Sequence, residues 1–455
     1  MPVTTSTPPN TERLHDREQL LSLFRQSETP ESDFLIGVEA EKFGVLADGT
    51  AIAYDGERGV LAVLQGLSDK FGWAADSEVP GGPIISMSRG QASITLEPGA
   101  QIELSGAPLS DMHAVHDETW AHRDELRQVS EPLGIHWLGL GFHPFARRDE
   151  LSWVPKQRYS VMKEYLPTQG RRSLDMMQRT ATVQANYDFA DENDAMRKLM
   201  VSLRMSPIVQ ALMANAPFLE GAVGERLSER GDVWLHMDPS RSGLIESLWS
   251  IEGPSYGDYV DWALGAGMFL IKRDGKNVHN TGQSFRDFLD NGFEGHCAEL
   301  GDWHLHLTTL FPEVRLKSTL EVRGADSLPA GLSLAVPALS TGILYDSTAL
   351  SEAEQLLGKF SFADVQDIRA ELVTRGPGVQ LAGRSVQQWG QELMEIARVG
   401  LVRRDRRNAE GRDESLYLEP LASLLSDETT PAERLLSGLE SGPRWVEEVI
   451  ARSSY

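Results

Sequence analysis

The chain has 455 residues, 41% of them hydrophobic and 24% charged, an ordinary balance for a globular protein with a sizeable core. A formal net charge of −24 repels nucleic acid and anionic membrane, so neither is an expected partner. The lone cysteine, Cys297, excludes an intramolecular disulfide and a cysteine-based zinc site. No run of about 18 apolar residues is present to form a membrane-spanning helix. At roughly 150 residues per domain the length allows up to about three domains, yet no repeat, low-complexity linker or shift in composition divides the chain. The expectation is a short flexible tail over residues 1–12 and a single catalytic domain over 13–455. Met1–Asn10 is rich in Thr, Ser and Pro and has neither a basic nor an apolar stretch, so it reads as a tail and not a signal peptide, which points to the cytoplasm.

The elements follow in chain order. Leu14, Leu20, Leu21, Leu23 and Phe24 recur at helical spacing over 12–26. Residues 34–46 alternate and are rich in Val, Ile and Phe, which predicts a strand. A helix is expected over 58–70. Residues 92–104 read as two strands separated at Pro98-Gly99. A helix over about 109–133 and an apolar strand over about 135–142 come next. A strand is expected over 180–189 and a helix over 193–216, started or kinked by Pro207. Residues 312–323 alternate as one strand, and the chain from about 350 onward is mostly helical. The fold class is therefore α+β.

Four of these strand segments carry an unusual polar face, because residues i and i+2 point the same way. The first offers Glu39 and Glu41. The second offers Gln101 and Glu103, with Glu97 an even number of residues earlier but across the Pro98-Gly99 break. The third offers Thr180, Thr182, Gln184, Asn186 and Asp188, and the fourth Glu313, Arg315, Lys317, Thr319, Glu321 and Arg323. A solvated sheet face also alternates polar and apolar. Here, however, one segment concentrates carboxylates, one amides and hydroxyls, and one both charges. Clustered carboxylates repel unless a cation lies between them, Mg²⁺ takes oxygen ligands including carboxylates and phosphates, and arginine forks suit carboxylate and phosphate. The combination predicts a sheet whose polar face is a metal, phosphate and carboxylate site. The chain lacks a phosphate-binding P-loop, a dinucleotide-binding glycine turn, a nucleophile elbow and an H-E-x-x-H zinc motif. Nucleotide phosphates would then be held through metals and cationic side chains.

Blander readings apply elsewhere. His304 and His306 form an H-x-H pair without a third ligand at suitable spacing. His113, His116 and His122 lie in an expected helix and read as structural. Arg403, Arg404, Arg406 and Arg407 read as a solvated helix end and not a nucleic-acid patch.

Longer stretches carry a resemblance. GVEAEKFG (37–44), ITLEPGAQIELSGAPL (94–109), RYSVMKEYLP (158–167), LDMMQRTATVQANYDF (174–189), DPSRSGL (238–244) and HLTTLFPEVRLKSTLEVRGAD (306–326) resemble the plant-type glutamate–cysteine ligases. The resemblance continues through SPIVQALMANAPF (206–218), DYVDWAL (258–264), SLYLEPL (415–421) and TPAERLL (430–436), in order along nearly the whole chain. It implies a glutamine-synthetase-like fold, in which a curved, mainly antiparallel sheet forms a funnel with helices packed outside. It also implies the ATP-dependent joining of L-glutamate to the amine of L-cysteine through γ-glutamyl phosphate, the first step of glutathione synthesis, with Mg²⁺ or Mn²⁺ as cofactor and ATP as co-substrate. Carried onto this sequence, Glu39, Glu41, Glu97, Glu103 and Glu321 would be metal ligands. Arg179, Arg315 and Arg323 would stabilise the transferred phosphoryl group or grip an amino-acid carboxylate. Gln184, Asn186, Arg241 and Lys317 would bind substrate or nucleotide.

The sequence departs from the family pattern in places. Plant members carry additional regulatory cysteines, one of them where Ala181 stands here. SWVPKQ (152–157) replaces a Pro-Met-Pro-Lys-Gly run, and Ser318-Thr319 replace a basic–aromatic pair. These leave two alternatives beside the cysteine ligase: a γ-glutamyl ligase for another amine or thiol pathway, or a relative that binds glutamate and ATP without turnover. The sequence does not specify the oligomeric state.

Overall fold

The computed structural model describes residues 10–79 and 81–455; residues 1–9 of the expected tail lie outside the described residues. Asn10 and Glu12 already join the fold, their carbonyls accepting from the backbone N–H of Gly301 and Leu300 at 2.9 and 2.8 Å.

A nine-stranded sheet organises the molecule. Its strands are β1 (Ile36–Leu46), β2 (Ala74–Asp76), β3 (Ser86–Arg89), β4 (Ala92–Leu96), β5 (Ile102–Ser105), β6 (Ile135–Leu138), β7 (Thr182–Tyr187), β8 (Val314–Leu316) and β9 (Leu320–Asp326). The order is β8-β9-β7-β1-β5-β4-β3-β2, with β6 also paired to β1, and every neighbouring pair runs antiparallel. β1 is long enough to change partners: it pairs with β5 through Glu39–Lys42 and with β6 through Phe43–Leu46.

The single strand expected over 312–323 is a hairpin. Lys317-Ser318-Thr319 turn the chain, the Lys317 N–H donating to the Thr319 carbonyl at 2.9 Å. Even spacing survives the reversal because Arg315 stands directly opposite Glu321. The helix expected from residue 12 begins at α1 (Arg17–Gln26), where the Asp16 side chain accepts from the Gln19 N–H and fixes the start. Pro207 lies inside α6 (Glu192–Leu212). It lacks the N–H that would serve the Leu203 carbonyl, and the Ser206 hydroxyl donates there instead at 3.1 Å.

Helices cover one face of the sheet. Ile94, Leu96, Ile102 and Leu104 share a core with Val63, Leu64 and Leu67 of α2 (Val60–Phe71) and with Leu126 and Val129 of α3 (Met112–Ser130). Val183, Ala185, Tyr187 and Val322 share a second core with Leu199 and Leu203 of α6. Fully burying each such aliphatic side chain contributes about 1.5–3 kcal/mol. The register is therefore strongly set, since a slip of one residue would exchange the two faces. The opposite face keeps the polar residues of the same strands.

Candidate active site

The carboxylates meet because of pairing register. Glu41 lies opposite Glu103, and Glu39 opposite Ser105 on one side and Gln184 on the other. Glu97 reaches the same place through a tight turn. The Glu97 N–H donates to the Gln101 carbonyl and the Ala100 N–H to the Glu97 carbonyl, both at 3.0 Å, with Ala100 at φ 68°. A Cβ on Gly99 would stand 2.3 Å from the Gln178 carbonyl oxygen, so only glycine lets this turn approach that neighbour. The Gln101 side chain is spent on the turn, accepting from Gly99 N–H and donating to the Thr180 carbonyl, both at 2.9 Å.

Carboxylate oxygens of Glu41, Glu97 and Glu103 all lie within 4.8 Å of one another. Glu103, Glu41 and the neighbouring Glu39 are oriented from behind. Glu103 accepts from the Thr95 and Ser105 hydroxyls at 2.8 Å. Glu41 accepts from the Thr182 N–H at 3.0 Å and the Gln184 amide at 3.3 Å. Asn186 donates to Glu39 at 3.0 Å and accepts from Thr319 at 3.0 Å. Gln184 and Asn186, expected to touch substrate, thus also hold carboxylates in place. Burial and the neighbouring Glu321 and Glu103 push the Glu39 carboxyl up to about 7. Burial with Glu97 and Glu103 raises Glu41 well above its usual range, and burial with Glu97 raises Glu103. Crowded, desolvated carboxylates with raised affinity for protons also favour a cation. Three oxygen-donor side chains without sulfur or imidazole suit a hard ion such as Mg²⁺, so the residues fit the metal that the sequence implies.

Glu321 stands apart from this trio. Arg315 forms a two-pronged ion pair with it, Nε and Nη2 each at 2.9 Å, Lys317 lies at 3.0 Å, and Arg323 bridges it to Gln184. Burial opposes ionisation of Glu321, but the three cations outweigh it and hold the carboxyl well below its usual range. Its oxygens are already engaged by cationic side chains, so as placed here it orders the cations and does not complete the carboxylate trio.

Two predicted arginines have partners outside the carboxylate trio. Arg241 is wholly buried, donating to Asp238 at 2.7 Å and to the Thr309 carbonyl at 3.1 Å, with its guanidinium 4.5 Å from the Phe269 ring centroid; it braces its own loop. Arg179, the last residue of α5 (Ser173–Arg179), reaches Asp175 and Glu220 at 3.5 and 3.1 Å and lies over Phe142 at 4.5 Å. Among the described residues its Nε and Nη2 are buried without a hydrogen-bond partner.

Sequence reasoning missed Lys156 and Arg230. Lys156 donates to the Leu96 carbonyl at 2.8 Å, just before α4 (Gln157–Tyr165). Burial and the nearby Arg158 pull its ammonium down to about 8, against Glu97 and Glu103. Arg230 donates to the Arg323 and Gly324 carbonyls at 2.9 and 3.2 Å. Neither belongs to an alternating strand, so periodicity gave no signal; the one available hint was that Lys156 falls in SWVPKQ (152–157), directly before RYSVMKEYLP. Of the arginines read as a solvated helix end, Arg403, Arg406 and Arg407 are exposed, whereas Arg404 is largely buried. His306 Nε2 donates to the Ala263 carbonyl at 2.9 Å, Arg404 pairs with the buried Glu414 at 2.9 Å, and Asp188, expected on the polar strand face, accepts from the Leu35 N–H at 2.7 Å.

Comparison with known proteins places this geometry. Residues 35–451 match the family model described as glutamate–cysteine ligase family 2. The chain is 36% identical over 437 residues to glutamate–cysteine ligase B, chloroplastic, of Oryza sativa subsp. japonica, covering 95% of this chain and 85% of that protein. It is 38% identical over 405 residues to the chloroplastic glutamate–cysteine ligase of Medicago truncatula, covering 88% and 77%. These plant relatives are named chloroplastic, which overturns the cytoplasmic placement expected from the first residues. The glutamate–cysteine ligase of Francisella tularensis, solved in complex with AMP, superposes with a TM-score of 0.57 at 13% identity, covering 92% of this chain and 87% of that one, and so shares the fold. A match of this length, carried by the strands that hold the carboxylates, means that the chain belongs to glutamate–cysteine ligase family 2.

Proposed function

We propose that the protein joins the γ-carboxyl of L-glutamate to the amine of L-cysteine at the expense of ATP, giving γ-glutamylcysteine, ADP and phosphate, and that residues 13–455 act as one catalytic unit. The observation that carries this reading is the juxtaposition on one sheet face of the Glu41–Glu97–Glu103 trio and the Arg315–Lys317–Arg323 row around Glu321. Phosphoryl transfer needs positioning and charge neutralisation more than covalent help from the protein, and these two clusters supply both.

In the proposed mechanism Glu41, Glu97 and Glu103 would hold Mg²⁺, with Glu39 beside them. An ion held there would supply charge neutralisation for the phosphates of ATP. Arg323 and Lys317 face the transferring phosphoryl or the glutamate carboxylate, and Glu321 fixes their directions. Gln184 and Asn186 hold Glu41 and Glu39 in line. Once the γ-carboxylate of glutamate has taken the phosphoryl group, the cysteine amine attacks the acyl carbon, phosphate leaves, and the amine proton passes to solvent or a nearby carboxylate. The acceptor is the part of the reading open to a second version. Thr319, part of the Ser318-Thr319 departure from the family pattern, hydrogen-bonds Asn186 beside Glu39, so the departure sits against the site and an altered amine preference would arise there.

The test is ADP release from Mg·ATP with L-glutamate, with and without L-cysteine and across a panel of amines. Release dependent on both amino acids, with γ-glutamylcysteine identified by mass, is the expected result. Release with a different amine keeps the mechanism and changes the acceptor. Absence of turnover alongside ATP binding overturns the proposal.

A further inference from the structure

Lys42 is a charged side chain with no exposed surface, and nothing in the ligase mechanism above uses it. On β1, Glu39 and Glu41 point to the carboxylate face, while Ala40 and Lys42 point to the helical side. The Lys42 ammonium donates to the Ala40 carbonyl at 2.9 Å and stands 4.5 Å from the centroid of the Tyr455 ring. Among the described residues no carboxylate forms an ion pair with it. The aromatic face is therefore the contact that offsets the desolvation of this ammonium.

The backbone places Tyr455 deliberately. After α7 (Trp445–Ser453) the chain runs along β6: the Gly139 N–H donates to the Ser453 carbonyl, Ser454 bridges Leu138, and the Tyr455 N–H donates to the Trp137 carbonyl, both bonds at 2.9 Å. β6 in turn pairs with β1 from Phe43. Among the described residues the Tyr455 hydroxyl has no hydrogen-bond partner, and the ring is the part that meets Lys42. Because the ammonium bonds back to the Ala40 carbonyl, Lys42 brackets Glu41: it pins the peptide before Glu41, while the Ser327 hydroxyl pins the Glu41 carbonyl after it.

We propose that Tyr455 is a positioning residue for the metal-binding carboxylates: its ring clamps the Lys42 ammonium against the Ala40 carbonyl and so fixes the segment of β1 that aims Glu41. The inference rests on the assignment of Glu41, Glu97 and Glu103 as a cation site. The variants Tyr455→Phe, Tyr455→Leu and Lys42→Met, made in the full chain, test it by Mn²⁺ binding followed by electron paramagnetic resonance without nucleotide, alongside kcat and KM. Phe retains the wild-type Mn²⁺ affinity. Leu, which fills the space without an aromatic face, weakens it by about tenfold, the size expected for a buried cation–ring contact, and lowers kcat while KM for cysteine stays the same. Lys42→Met separates two effects. Loss of a positive charge alone would tighten Mn²⁺ binding, whereas loss of the clamp weakens it. Equal behaviour of Leu and Phe, a lower melting temperature with unchanged Mn²⁺ affinity, or tighter binding by Lys42→Met each overturns the proposal. A wild-type protein whose Mn²⁺ binding is indifferent to Glu41→Gln overturns instead the cation-site assignment beneath it.

Discussion

Replacing Glu39 by Gln removes one charge from the carboxylate face while keeping the side-chain shape and an oxygen for the Asn186 amide at 3.0 Å. Burial, with Glu321 and Glu103 close by, raises the Glu39 carboxyl from 4.5 to about 7. A carboxyl raised in the folded state holds its proton more tightly there than in the unfolded chain. Its ionisation therefore costs stability progressively as pH climbs from 4.5 to about 7, and the full cost is present above that range. At 1.36 kcal/mol per decade the interval corresponds to at most about 3 kcal/mol. The Gln variant, with no charge to desolvate, should gain about 3 kcal/mol near about pH 8 and less than about 1 kcal/mol near about pH 5. For a chain of 455 residues the larger gain is about 3 °C in melting temperature. Thermal melts in chelator at both pH values measure it, and turnover with Mg·ATP should fall by at least about 100-fold in the same variant. A Gln variant that melts below the wild type near about pH 8, or whose gain is the same at both pH values, would refute the picture of Glu39 as a crowded, desolvated carboxylate.

The same change at Glu321 should have the opposite sign. Glu321→Gln leaves Arg315, Lys317 and Arg323 without their shared counter-ion and should cost about 3–5 kcal/mol in urea unfolding; a stabilised variant rules out that role. Mg²⁺ binding near pH 7 should release protons, because Glu39 is raised to about 7 and carboxylate ligands bind in their ionised form. Titration calorimetry in buffers of different ionisation enthalpy reads this directly, and a heat independent of buffer contradicts it. Lys156→Met, which deletes the ammonium bonded to Leu96 beside Glu97, should lower kcat/KM by about 10–100-fold through lost support of that turn. Unchanged kinetics would place Lys156 outside the site.

Alternation made most of the polar face legible. Glu39 with Glu41, and Thr182 with Gln184 and Asn186, share faces as their spacing requires, and the register then sets Glu41 opposite Glu103. What alternation does not encode is which strand lies beside which, or how a polar side chain divides its bonds. Arg241 and Arg315 look alike in sequence. The difference is that Arg241 meets Asp238 three residues away within its own loop, whereas Arg315 meets a carboxylate presented by the opposite arm of a hairpin. Glu321 reads as one more acidic ligand until the three cations around it are seen. Lys156 and Arg230 come from a loop and a short helix, where no period signals a shared surface.

The last strand also carries an offset with a genetic consequence. Between Val322 and Ala325 the pairing of β9 with β7 shifts, so that Arg323 and Gly324 together face Gln184 while Asp326 still aligns with Thr182. The extra residue reverses odd and even. Glu321 and Arg323 precede it on odd positions, yet Asp326, on an even one, is delivered to the Ser228 hydroxyl and the Asn215 N–H at 3.0 and 2.8 Å. Substitutions along 321–327 therefore act one at a time, and a one-codon deletion at 323–324 would leave a regular ladder with Asp326 still opposite Thr182, but a one-codon insertion there would rotate everything downstream by half a turn of the strand. Asp326 would lose Ser228 and Asn215, and Ser327 would lose the Glu41 carbonyl. The reading frame of side-chain direction, and not only the identity of the residues, is part of what this segment must preserve through insertion and deletion.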